Sequence, residues 1–167
     1  FEMAKARTPW LFITMITAFL NEIVLDFFSV ELSLLPILAA FIPMAMGTAG
    51  NAANQATVMV IRAISTDGIS VKDTLKIVLK ESKVSLYLCL VMAIATFVRL
   101  LVLPPMLEFD VMIVITLSVV ISIFVGNIVG GLLPILALIL KQDPAAMAAP
   151  LVTNIMDIAS LAIYFII

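Results

Sequence analysis

Residues 111–140 read VMIVITLSVVISIFVGNIVGGLLPILALIL, thirty positions in a row without a charged side chain. A helix of about 20 apolar residues crosses the roughly 30 Å of a bilayer's hydrocarbon, so this run crosses with length to spare. It is far longer than the roughly ten residues of a barrel strand and lacks a sustained period of two, which excludes a strand. A second charge-free run of the same length extends from Leu32 to Ile61. Composition agrees with these two stretches: of 167 residues, 64% are hydrophobic and 12% charged, and the mean hydropathy is +1.28. That excludes an ordinary soluble domain and points to a membrane protein.

Working outward at the same length scale gives five spans, at about 9–30, 35–64, 84–103, 111–140 and 143–167. The reading is an all-α membrane protein with five transmembrane helices per chain. The second and fourth runs exceed what one perpendicular helix needs. Pro36, Pro43, Gly47 and Gly50 in one, and Gly126, Gly130, Gly131 and Pro134 in the other, are where kinking or unwinding is expected. Lys5, Arg7, Arg62, Lys72, Lys76, Lys80, Lys83 and Lys141 all fall on one side of such a protein. The positive-inside rule therefore puts the amino terminus in the cytoplasm and the carboxyl terminus outside a cell (inner or plasma) membrane. Glu31, Glu108 and Asp110 mark the outer loops. Residues 65–83 form a cytoplasmic amphipathic linker, with lysines three or four apart that meet membrane lipid headgroups.

With no histidine and one cysteine, Cys89, imidazole and multi-cysteine metal sites, His-based catalytic pairs and intrachain disulfides are excluded. A transporter rather than an enzyme is expected. A net charge of -2 gives no reason to expect nucleic acid as a partner.

Ionisable groups inside a bilayer cost a few kcal/mol and are functional candidates by default. Glu22 and Asp26 share a helix face near the outer boundary, where they pair with Arg99 or meet external water, or else form an ion-attracting vestibule. Asp157 differs, because it lies near mid-membrane with no basic residue at its depth. A cation or a water-filled space must compensate it, unless it is held neutral against a neighbouring helix. Thr153, Ser160 and Tyr164 share its face. In span two Gly47, Gly50, Asn51, Asn54 and Gln55 make a matching polar face, and in span four Ser118, Ser122, Gly126 and Gly130 repeat as a packing stripe beside Asn127. Oxygen donors without imidazole or thiolate suit hard divalent ions. One aspartate per chain is weak for a divalent cation. Two copies across a two-fold axis match its charge, which suggests a homodimer with a dimeric pore.

At residues 42–57, IPMAMGTAGNAANQAT, followed by VIRA at 60–63, the sequence resembles the second transmembrane helix of the MgtE family of magnesium channels. Residues 7–11 (RTPWL), 127–134 (NIVGGLLP) and the segments around 143–145 and 150–157 are similar to that family too, so the likeness covers essentially the whole chain. It implies a homodimeric channel that passes hydrated Mg2+, with Mn2+, Co2+ or Ca2+ as other candidate ions. Asp157 matches the family's pore aspartate, Asn54 its second-helix asparagine, and Thr153 supplies the backbone carbonyl one turn before the aspartate. The family pattern has a further asparagine where this chain has Ala149, so one side-chain ligand to the hydrated ion is missing there. The family's cytoplasmic regulatory domains have no counterpart in these 167 residues. The rival reading is a secondary transporter in which Asp157, Glu22 or Asp26 exchange protons or Na+ for the divalent ion.

Overall fold

The computed structural model describes residues 2–34 and 36–167, with all their side chains except those of residues 2–7, 10, 31, 34, 149 and 150. The side chains of Lys5, Arg7, Glu31 and Ala149, used above, lie outside the described residues. The described chain is helical and contains no strand. Its elements are α1 (Glu2–Phe27), α2 (Ser29–Leu34), α3 (Pro36–Ala39), α4 (Ile42–Asp67), a 3-10 turn (Val71–Asp73), α5 (Thr74–Val102), α6 (Phe109–Ile139) and α7 (Pro144–Ile166). Among the described residues, four helices are long and apolar enough to cross a membrane, the second of them running on from the 3-10 turn into α5 and the others containing α4, α6 and α7. α1 is comparably long at 26 residues.

Local chemistry sets the ends. Gly68 takes a left-handed conformation (φ 65°) and closes α4, a backbone shape that glycine adopts without steric cost. The Ser70 N–H and hydroxyl both donate to Asp73 Oδ2, at 3.0 and 3.1 Å, a capping box that turns the chain into α5. Asp143 accepts the N–H of Ala145 at 2.9 Å and Pro144 follows, the favoured opening of a helix.

Two expectations change here. The linker at 65–83 is not a separate element, because α4 runs on to Asp67 and α5 begins at Thr74. Hydropathy marks where a chain leaves hydrocarbon, whereas lysines are good helix formers and let the helix continue past that point. The glycines and proline of the fourth run do not unwind it either, since α6 is one helix of 31 residues. The second run does break, but at Ala40 and Phe41, ahead of its glycines.

Those glycines serve close approach instead. α4 and α6 run parallel in contact, with Ala49 against Gly126 and Ala53 against Gly130. A Cβ on Gly126 would lie 2.8 Å from the Ala49 carbonyl oxygen, and one on Gly130 would collide with that of Ala53. Without a hydrophobic drive between helices in lipid, such backbone contact is how membrane helices gain packing energy. α7 packs on both α4 and α6, while α5 flanks α6 and α1 flanks α7. The outward face of α5 exposes Leu86, Leu90, Ile94, Val98 and Leu101, a band suited to lipid.

Pro134 sits inside α6 and has no N–H for the carbonyl of Gly130. Thr57 of α4, fully buried, donates its hydroxyl to that carbonyl at 2.9 Å. The defect in one helix is thus repaired by its neighbour. Thr57→Val is expected to destabilise the bundle by about 1–3 kcal/mol, the cost of an unsatisfied buried carbonyl, and Thr57→Ser by much less. Unfolding in mixed SDS micelles followed by circular dichroism measures both, and equal losses would refute the pairing.

Candidate cation site

Ala148, Val152 and Met156 of α7 are fully or almost fully buried against Ala49 and Ala53 of α4. This apolar face fixes the rotation of α7 and leaves Thr153 and Asp157, one turn apart, half-buried beside it. Asn54 Nδ2 donates to Thr153 Oγ1 at 3.0 Å, and Gly50 lets the two helices close until its Cβ position is 3.6 Å from the Thr153 methyl. The polar face of α4 is therefore tied to α7 one turn before Asp157, halfway along that helix. Further on, Tyr164 donates to the Leu38 carbonyl at 2.9 Å, so α7 runs antiparallel to the second run and Asp157 lies about level with Gly50.

The hydrogen bond orients Asn54. Its amide nitrogen is engaged by Thr153, which leaves its oxygen as an acceptor for another donor. Beside it Gly47, Asn51 and Gln55 are exposed on the single chain, and a Cβ on Gly47 would meet nothing within 4 Å. Thr48, Asn51 and Gln55 also line a cavity of about 250 Å³ against Leu88 and Met92 of α5 and Ile123 of α6. Two carboxamides exposed in the middle of an apolar bundle need water or a partner surface.

Asn54 and Thr153 are thus brought together from two helices, with Asp157 one turn further along α7, whereas the side chain at Ala149 lies outside the described residues. Among the described residues no three Cys, Asp or Glu gather into a metal cluster. Within one chain the arrangement offers one carboxylate, neutral oxygens and open space, the chemistry of a weak site for a hydrated hard cation.

Other candidates resolve differently. Glu22 and Asp26 are exposed and line an open concavity of about 490 Å³ with Ile23 and Leu25. Arg99 makes no ion pair with them. Its guanidinium lies 5.1 Å from the centre of the Phe41 ring, a cation–π contact. Asn127 is buried and donates to Ser85 Oγ at 3.3 Å and to the Ile123 carbonyl at 3.1 Å, which makes it a packing residue between α5 and α6. Cys89 donates to the Val120 carbonyl at 3.3 Å as a packed thiol. Sequence reasoning missed Thr57: Pro134 signals that the Gly130 carbonyl lacks its helical donor, but not which helix supplies the replacement.

Comparison with known proteins places this geometry in context. The MgtE family model, described as a divalent cation transporter, matches residues 42–167. The chain is 33% identical over 165 residues to the magnesium transporter MgtE of Thermus thermophilus, covering 95% of this chain and 35% of that protein. Against the magnesium transporter MgtE of Bacillus subtilis the identity is 29% over 164 residues, covering 97% and 36%. Against the Enterococcus faecalis protein of the same name it is 27% over 166 residues, covering 98% and 36%. The chain spans about a third of the length of the curated relatives it matches.

Proposed function

The chain belongs to the MgtE family of divalent cation transporters, and from that premise we propose that it forms the pore of a channel that conducts Mg2+ into the cytoplasm. Two copies pair across a two-fold axis. Asp157 from each holds one hydrated ion, and Asn54 and the carbonyls around Thr153 accept hydrogen bonds from its water shell. α1 serves as a fifth span, and the lysine-bearing end of α5 lies in the cytoplasm.

One observation carries this reading: the Asn54 to Thr153 hydrogen bond, which sets a polar, partly exposed face of α4 against the turn of α7 that leads to Asp157. Mg2+ gives up its water reluctantly, so a site of one carboxylate per subunit and neutral oxygens suits it better than a dehydrating cage. Two carboxylates match its charge. The exposed Asn51 and Gln55 supply a second reason for pairing, because lipid cannot satisfy them.

A flux assay tests the channel reading against the coupled alternative. In liposomes carrying the purified protein and a Mg2+-sensitive dye, uptake at clamped membrane potential is expected to follow the Mg2+ gradient alone. Uptake that rises or falls several-fold when an opposing proton or Na+ gradient is imposed would overturn the channel and establish coupling.

A further inference from the structure

The seam between α5 and α6 holds a carboxyl for which the cation site has no use. Glu81 of α5 is only 6% exposed. It begins a polar face with Ser85 and Cys89, each four residues on, and Gly131 and Asn127 of the antiparallel α6 lie opposite. A Cβ on Gly131 would stand 3.0 Å from Glu81 Cγ, so glycine at this position makes the room in which the glutamate lies. On one side Asn127 and Ser85 satisfy each other. On the other, Ile77, Val60 and Ile135 form a dry cluster. Among the described residues no hydrogen bond or ion pair reaches the Glu81 carboxyl.

Of the charged groups around it, only Lys80 offsets the burial, and only in part. α6 brings none to the seam, since it carries no charge between Val111 and Leu140. On α5 itself Lys76, Lys80 and Lys83 are exposed, as are Lys72 of the 3-10 turn and Arg62 and Asp67 at the end of α4. Asp73 is engaged by Ser70. A carboxylate on a side chain packed this closely, with no hydrogen-bond partner, carries a desolvation cost that a bound cation removes. The seam is packed too closely at Gly131 for a hydrated metal, Glu81 lines neither of the cavities described above, and a single carboxylate is a poor cage for a bare one. Only the smallest cation fits.

We propose that Glu81 is a proton-binding site that seals α5 against α6. With the proton bound, a neutral acid lies in the seam. Without it, a charge stands between the two helices, one residue along α6 from the Gly130 contact that seats α4. Alkaline conditions therefore loosen the bundle from its α5 side. This inference is independent of which ion the pore passes.

Infrared spectroscopy of the protein in lipid tests it. At pH 7 the wild type is expected to show the carbonyl band of a protonated carboxylic acid that shifts in D2O. The band should also shift when the protein is made with glutamate labelled with 13C at its side-chain carboxyl, and persist in Asp157→Asn. Glu81→Gln should lack it and still assemble, because glutamine mimics the neutral acid. Above the ordinary carboxylate range, where the unfolded chain loses this proton and the folded protein keeps it, the folded-to-unfolded ratio should fall by about tenfold per pH unit and level off once the folded protein is deprotonated too, a fall that Glu81→Gln abolishes. The absence of a glutamate acid band at pH 7 overturns the proposal. So does a band that survives in Glu81→Gln, or equal pH dependence in the two proteins. The labelled wild type gives its answer even where the variant does not fold.

Discussion

Asp157→Asn is expected to reduce Mg2+ uptake more than tenfold while the amount of assembled protein in the membrane stays at the wild-type level. Asparagine keeps the size of the side chain and a carbonyl oxygen but removes the charge, and in the proposed homodimer it would remove two. A unit-charge pair 4 Å apart is worth about 4 kcal/mol at the effective dielectric of about 20 that suits most protein sites. A hydrated ion sits farther from its carboxylates and gains less. Even half that value exceeds the 1.4 kcal/mol that corresponds to a factor of ten in occupancy. Packing argues that assembly survives, because Asp157 is half-buried while its neighbours Val152 and Met156 hold α7 in the core. Uptake in a host lacking its own Mg2+ transport, normalised to membrane-inserted protein, measures the effect. Unchanged uptake would remove Asp157 from the ion path. Loss of uptake together with loss of protein would make it a folding residue.

The two halves of this site were legible in the sequence to different degrees. A carboxylate far from every basic residue, in a helix-length apolar run, can be found by counting, because insertion energetics depend on depth and charge alone. The polar face of α4 is equally visible, since helical periodicity places Asn51, Asn54 and Gln55 together without tertiary information. What periodicity cannot supply is the partner of each face. That Asn54 meets Thr153 of α7, and that Arg99 lies over Phe41 rather than beside Glu22 and Asp26, depends on how helices are arranged around one another. Nearly uniform apolar surfaces leave that arrangement open. The same gap explains the boundary of α5. Lys72 to Lys83 marked the edge of the hydrocarbon and were read as a separate element, although the hydrogen-bonded helix passes through most of them. Glu81 stands among those lysines, and nothing in the sequence separates it from them. Only the opposing Gly131 reveals it as buried.

Gly130→Ala is expected to be the most damaging substitution outside the pore, lowering bundle stability by about 1–3 kcal/mol or more, even though alanine is by about 1 kcal/mol the better helix former. The added methyl would collide with the Ala53 carbonyl oxygen and lie 2.8 Å from its carbon and 2.9 Å from the Ala53 Cα. All three are backbone atoms within a helix, so no rotamer change relieves the overlap and α4 must move away from α6. That movement also stretches the bond from Thr57 to the Gly130 carbonyl and exposes the gap left by Pro134. The damage should therefore exceed that of Thr57→Val alone. Gly47→Ala is the control, because nothing lies within 4 Å of its Cβ position, and it should match or slightly exceed wild-type stability. Gly131→Ala falls between them, since the atom it meets belongs to the flexible Glu81 side chain. Unfolding midpoints in mixed micelles rank the three, and a Gly130→Ala protein as stable as Gly47→Ala would mean that α4 and α6 do not touch along their backbones. Because α4 carries Asn54 on a face adjoining the one that carries Ala53, a shift at this contact is also expected to misplace the cation site. Uptake should then fall further than the loss of folded protein accounts for.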